Sequence, residues 1–319
     1  MEEQKSSDVN NNETKEEKEI EEIVEEEVIE QKASPWKDAL QRRWYRFKSN
    51  PLSLLGLGIA ITSIFLAIFG KYVVPYPEHG GLYSNYSDAF VKPFQTIEYL
   101  FGTDDMGRDI LTRTILGFRY SLMMAAVVLS IVVPLGTVLG LIAGYHKDTW
   151  IDTLIMRVSD IFIAVPPLVF ALTVTSMLEP TAFNAMMAVS FMWWPWYVRL
   201  TYNNVSSVVN EEFVSAAEIM GDSKLHIMFV EILPNCSGSL LTKMTLDIGW
   251  VILIGASLSF VGLGAQPPKP DLGTMVASGR TWLPTYWWPA LFPAMAISFI
   301  ILGFNLLGDG IKDAFEEGS

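Results

Sequence analysis

Residues Glu211–Asn235 read EEFVSAAEIMGDSKLHIMFVEILPN, and the reading of this stretch decides how the rest of the chain is understood. It is polar, yet it lies between two uncharged runs, each long enough to cross a bilayer. Small residues cluster at Ser215, Ala216 and Ala217; Gly221 follows, and a second helical pattern ends in Leu233-Pro234. The pattern predicts helix, glycine turn, helix. Gly221 suits the left-handed position after a helix end, where a Cβ would clash. Asp222 or Ser223 is placed to cap the second helix by accepting backbone N–H bonds. Pro234 lacks an N–H and marks a break or kink before the next span. The alanines leave a low helix face that another surface can approach. On shape alone, an ordinary connecting loop fits as well.

Working outward, the charges fix the class. The chain has 319 residues, 50% of them hydrophobic. Uncharged runs occupy Ser49–Gly70, Tyr120–Tyr145, Ile161–Leu178, Pro180–Val198, Ile248–Pro268 and Thr281–Gly308. A helix rises about 1.5 Å per residue, so roughly 20 residues cross a hydrocarbon core of about 30 Å. Six runs of that length predict an all-α integral membrane protein with six transmembrane helices. A barrel would need short alternating strands, which these runs are not.

The net charge of −13 belongs mostly to one end. Residues 1–33 hold 13 acidic and 4 basic side chains and almost no aromatic ones, a composition that predicts a disordered acidic cytosolic tail. Residues 34–50 alternate Trp36, Trp44, Tyr45 and Phe47 with Lys37, Arg42, Arg43, Arg46 and Lys48, which reads as an interfacial segment against lipid headgroups rather than a nucleic-acid surface. Basic residues before the first span place that side in the cytosol. With six spans, both termini are then cytosolic, as are Lys147–Asp160 and Glu211–Asn235. The expected organisation is a first span and external loop over 51–118, a five-helix core over 119–313 containing the loop 211–235, and a cytosolic end at 314–319.

Within the external loop, FGTDDMGRD (Phe101–Asp109) is turn-rich, and Asp109 onwards carries the apolar face of a short surface helix. Arg108 and Asp109 are placed to pair locally. Asp104, Asp105 and Asp109 lack the spacing of a calcium loop, so capping and surface charge account for them. Further along, Gly136, Gly140 and Gly144 allow close helix approach, either inside the chain or in a dimer. Pro166-Pro167 predicts a break in the third span. Met192–Arg199, with Trp193, Trp194, Trp196 and Tyr197, reads as an aromatic belt with an anchoring arginine, Arg157 reaches Asp160, and Lys243 with Asp247 reads as a structural ion pair rather than a proton relay.

No phosphate loop, H-E-x-x-H, paired cysteine or G-x-S-x-G occurs. The single Cys236 forms no internal disulfide, and the three histidines, His79, His146 and His226, are scattered. No catalytic residue, metal or cofactor is expected, and the chain must borrow its energy. A secondary carrier or channel driven by an ion gradient is the alternative, but it would need charged residues at mid-membrane or inverted repeats.

Two blocks carry a family resemblance. SAA…G…EILP, over Ser215, Ala216, Ala217, Gly221, Leu233 and Pro234, resembles the "EAA…G…I-x-L-P" signature of ABC importer permeases, with Ser215 at the usual glutamate position and Glu218 one turn away. FGTDDMGRDILTR resembles the "FGTDxxGRDxxSR" block of the dipeptide/oligopeptide subfamily, C-type subunit, through Gly102, Thr103, Asp104, Gly107, Arg108 and Asp109. GASLSFVGLG (255–264) is similar to that subfamily's "EASLSFLGLG", with Gly255 replacing glutamate. The resemblance implies a type I importer permease fold. It also implies a coupling helix, with Phe213, Glu218 and Leu225 among its contacts, that docks on a cytosolic ATPase. The partners it implies are a companion permease in a heterodimer, two cytosolic ATPase subunits and an external solute-binding protein.

Overall fold

A computed structural model of the protein describes residues 35–315. The predicted acidic tail at 1–33 and the last four residues lie outside the described residues. The chain divides at Asn50 into two units. In the first, α1 (Pro35–Ser49) carries Arg46 and Lys48 in its last turn, and the Trp44 and Phe47 rings stack at 5.7 Å.

The second unit is helical among its described residues. Its long helices are α2 (Pro51–Val73), α3 (Ile110–Tyr145), α6 (Ala182–Val208), α9 (Ser237–Phe260) and α11 (Trp288–Phe315). Shorter ones are α4 (Trp150–Ile163), α5 (Pro167–Ser176), α7 (Glu212–Met220) and α10 (Leu272–Arg280). Between α7 and α9 the chain runs as three helical pieces, here α8: Lys224–His226, a π turn at Ile227–Ile232, and Leu233–Asn235. Pro234 has no N–H to offer the carbonyl four residues back, and Leu233 N–H turns instead to Met228 O, five back. The helix therefore widens before Pro234 and breaks at Cys236, where α9 begins.

Four helices, α2, α3, α9 and α11, are long and apolar enough to cross a membrane. A fifth follows if α4 and α5, bent by 82° at the predicted Pro166-Pro167 break, form one span. The remaining run, Pro180–Val198, became α6, which has the length but not the apolarity, because Asn184, Trp193, Trp194 and Arg199 lower its hydropathy. Its packing explains why this is tolerated. α6 lies against α3, α4, α5 and α9, so much of its surface meets protein rather than lipid. Trp193 and Trp194 are buried in the bundle, not arrayed as an interfacial belt.

The α3–α6 pair is the most extensive in the fold. Gly136, Gly140 and Gly144 make it possible: a Cβ on Gly136 would collide with Tyr197 Cβ, and one on Gly140 would sit 2.5 Å from Val198 O. This stripe is used inside the chain. In the central core, Val128, Val132, Val189, Val198, Val251 and Leu258 are fully excluded from solvent. Two other expectations fail. α3 is one helix of 36 residues, about 54 Å long, and not a surface helix followed by a span. Asp160 pairs with Arg199 across α4 and α6, rather than with Arg157 one turn away.

Candidate functional site

The two motif blocks lie at opposite ends of α3, and they are built differently. At the N-terminal end, Gly102, Thr103, Asp104, Gly107, Arg108 and Asp109 close into one polar knot. Gly102 and Gly107 have φ of +74° and +75°, and a Cβ on Gly107 would collide with Asn85 O, so both conformation and space demand glycine there. Thr103 and Asp109 form a β-bridge. The Asp104 carboxylate accepts from the backbone N–H of Met106 and Arg108, both at 2.9 Å, and from Arg108 Nε at 2.8 Å. Arg108 thus pairs with Asp104 and not with Asp109. Asp109 caps α3, its Oδ2 accepting from Thr112 N–H at 2.8 Å, and burial pushes its carboxyl upward.

Two residues outside the motif, His79 and Trp288, and the arginine that ends it, Arg113, complete the knot. His79 is 1% exposed, and its Nδ1 accepts from Asp109 N–H at 2.9 Å, so the ring is neutral with its proton on Nε2. Burial is the main reason its imidazole titrates below the usual value. Arg113, also buried, donates to His79 O at 2.9 Å and to Pro268 O at 3.4 Å, and its Nε lies 3.7 Å from Asp104. Trp288 Nε1 donates to Thr103 O at 3.0 Å. The knot therefore ties the 77–80 turn, the start of α3, the α9–α10 connection and the start of α11. No spacing signal marks His79 or Trp288 in the chain, because each comes from a different segment; Arg113 is the last letter of the FGTD block, where the sequence could have found it.

At the other end of α3, α7 and α8 meet at Gly221 (φ +89°). Gly221 N–H bonds to Glu218 O and Asp222 N–H to Ala217 O, the paired bonds of a Schellman turn. Ser223, not Asp222, caps α8 by accepting from His226 N–H at 3.2 Å. A Cβ on Gly221 would meet nothing within 4 Å, so only the backbone conformation demands glycine. Val214, Ala217, Ile227, Met228 and Ile232 are buried with Leu141, Val205 and Cys236 in a small second core. Ala217 is therefore turned into the chain, and the low outward face consists of Ser215 and Ala216 alone. Leu233 is half-buried beside this core and Pro234 is exposed. The opposite side presents Phe213, Ile219, Met220 and Leu225 to solvent, Ile219 at 86% exposure. Glu218 is met by the hydroxyl of Tyr145, the last residue of α3, at 3.3 Å.

Between the two ends, Gly255 lies against Met124; a Cβ there would sit 2.5 Å from Met124 Sδ. The sulfur fills the place of the side chain that the related pattern carries. An open groove of about 620 Å³ runs between α2, α3, α9 and α11 with Arg119 at its apolar walls. Among the described residues, no three His, Cys, Asp or Glu side chains gather as a metal site.

A bundle of apolar helices, with a polar knot at one end of its longest helix and an apolar turn presented at the other, defines a helical membrane protein. The family described as the inner membrane component of binding-protein-dependent transport systems matches residues 136–318, and the N-terminal transmembrane domain of oligopeptide transport permease C matches residues 34–93. The chain is 37% identical over 285 residues to the dipeptide transport system permease protein DppC of Haemophilus influenzae, covering 88% of this chain and 95% of that one. It is 38% identical to the protein of the same name from Alkalihalophilus pseudofirmus, covering 89% and 90%. It is 35% identical to the glutathione transport system permease protein GsiD of Escherichia coli, covering 90% and 92%. The chain belongs to the binding-protein-dependent permease family, as a membrane permease subunit of an ABC importer.

Proposed function

We propose that this permease carries peptides or related small solutes and is driven through the α7–Gly221–α8 turn by a cytosolic ATPase. The carrying observation is the division of that turn. One side is anchored in its own core, and the other exposes Phe213, Ile219, Met220 and Leu225 around a rigid left-handed corner. Exposed apolar side chains clustered at a fixed turn are what a partner's groove buries. Peptide cargo is supported by the relatives' names, which specify dipeptides and glutathione.

The same reading supplies the rest of the assembly: a companion permease, two ATPase subunits that hydrolyse ATP in place of this chain, and an external solute-binding protein. It sets six spans with α6 as the protein-lined one, both termini in the cytosol, and the polar knot outside. Nucleotide binding that favours one arrangement of the ATPases would then shift the helices between two access states. An ion-gradient carrier draws no support from Asp247, whose two oxygens already accept from Trp193 and Lys243.

The test replaces Gly221. In Gly221→Val, a β-branched residue is forced toward the left-handed region at a cost of about 1–2 kcal/mol, with no steric clash to unfold the bundle. We expect normal membrane insertion and continued ATP hydrolysis in the reconstituted complex, with solute uptake per ATP reduced about tenfold. Uptake per ATP equal to the wild type would refute the coupling role.

A further inference from the structure

We propose that Lys243 is the contact point for the carboxylate of the transported solute inside the membrane, held in position by Asp247. This rests on the reading of the cargo as peptide-like. α9 has 24 residues. Centred on a core of about 30 Å, such a helix puts Lys243 about 6 Å and Asp247 about 12 Å below the boundary nearer α8. A lipid-facing lysine at that depth extends its ammonium back to the near boundary. Lys243 does the reverse: its Nζ reaches one turn deeper, to Asp247 Oδ1 at 2.7 Å.

Asp247 is spent entirely on this arrangement. Its side chain is 1% exposed, and its second oxygen accepts from Trp193 Nε1 on α6 at 2.9 Å. It cannot reach a solute. Lys243 can, because 30% of its side chain remains accessible. An ammonium has three donors, and Asp247 engages one. The Trp193 and Tyr197 rings lie 6.0 and 5.7 Å from Nζ and flank the cation on its protein side. A half-open cation this deep requires an aqueous or polar face in front of it, since charged groups within spans face cavities or the bundle interior. Lys243, Trp250, Leu253 and Ser257 follow at helical spacing, and Trp250 and Leu253 are exposed. That face of α9 is the pathway face: an apolar and aromatic strip carrying one positive charge, which matches a peptide with its C-terminal carboxylate.

The test uses the complete complex in liposomes with Lys243→Cys in a Cys236→Ser background and cysteine-free partners. Losing one charge-assisted bond to the solute should slow uptake of a free-acid peptide about tenfold. Aminoethyl methanethiosulfonate rebuilds an ammonium at this position and should restore uptake; the neutral methyl reagent should not, and Lys243→Arg should retain most of it. A lysine that serves only its ion pair with Asp247 would also be repaired by the ammonium reagent, but it would affect a free-acid and a C-terminally amidated peptide alike; equal loss and rescue for the two peptides, or rescue by neither reagent or by both, overturns the proposal. So does an introduced thiol at this position that reacts in no nucleotide state, for then the face meets lipid or a subunit. A complex that imports neutral oligosaccharide and no peptide would refute the peptide reading and the carboxylate contact together. One that imports free-acid peptide at the wild-type rate in Lys243→Gln would refute the contact alone.

Discussion

The polar knot and the Gly221 turn sit at opposite ends of α3, both marked by family-like motifs, yet their side chains are used in opposite ways. In the knot, Asp104, Arg108, Thr103 and one oxygen of Asp109 find their hydrogen bonds within the chain, Arg113 joins from the end of the same block, and His79 and Trp288 are drawn in from elsewhere to complete it. In the turn, the corresponding interest lies in what is left over: Phe213, Ile219, Met220 and Leu225 have no core to enter. The glycines make the same point. At Gly107 a side chain is excluded by both φ and neighbours, at Gly221 by φ alone. A motif can therefore persist because it builds the fold or because it faces a partner, and only the surroundings of its residues separate the two.

That contrast can be broken experimentally. The largest effect belongs to Asp104→Ala, which leaves Arg108 and the buried Arg113 without their carboxylate. We expect a loss on the order of 3–5 kcal/mol, seen as a sharply lower thermal midpoint and poor yield of folded protein. An unchanged midpoint would mean that the knot is not structural. Next is Phe213→Ala, expected to weaken binding of the ATPase by about 2 kcal/mol, as for a truncated interface aromatic, while the midpoint of the isolated subunit stays within about 0.5 kcal/mol of the wild type. A fall in stability without a fall in ATPase affinity would reverse the assignment of the two ends.

The smallest effect is a pH dependence confined to the knot. His79 is held neutral in the fold, with its titration shifted below that of the unfolded chain by burial. The unfolded chain therefore binds the extra proton first, so the stability this group contributes is full above about pH 6.5 and is lost as the pH falls toward the folded value. Protonation also removes the Nδ1 lone pair that accepts Asp109 N–H. The thermal midpoint should drop between about pH 7.5 and 5.5, and the drop should shrink in His79→Asn, whose side-chain oxygen keeps an acceptor there. Equal drops in both proteins would place the dependence elsewhere.

Much of this was legible in the chain itself. The uncharged runs located the segments that became apolar helices or the bent pair, and Gly221 announced its left-handed turn because few other residues adopt one. The proline pair announced the 82° bend for a similar reason: local chemistry decides these features. What stayed hidden depends on distant partners. Arg113 ends the FGTD block, but nothing in the block says that it points to His79 O and Pro268 O or that α3 runs straight through it. Arg157 and Asp160 had the right spacing, but Arg199 on α6 was the nearer partner. Of two adjacent alanines, spacing says only that they point about 100° apart, and Ala217 proved to be the inward one. α6 passed a test of missing charge and failed one of apolarity, because helices pack around it.

The central claim is that the tip of the Gly221 turn rests on an ATPase. Ile219→Cys, in a Cys236→Ala background whose one change to the second core is a small apolar replacement, places a thiol at the exposed corner. The measurement is cross-linking of that thiol in the assembled, transport-active complex to cysteines introduced along the ATPase surface. The account predicts a strong adduct confined to one groove of the ATPase, altered in yield when nucleotide is added. Recovery of no adduct at any position, in a complex that still imports solute, would contradict it.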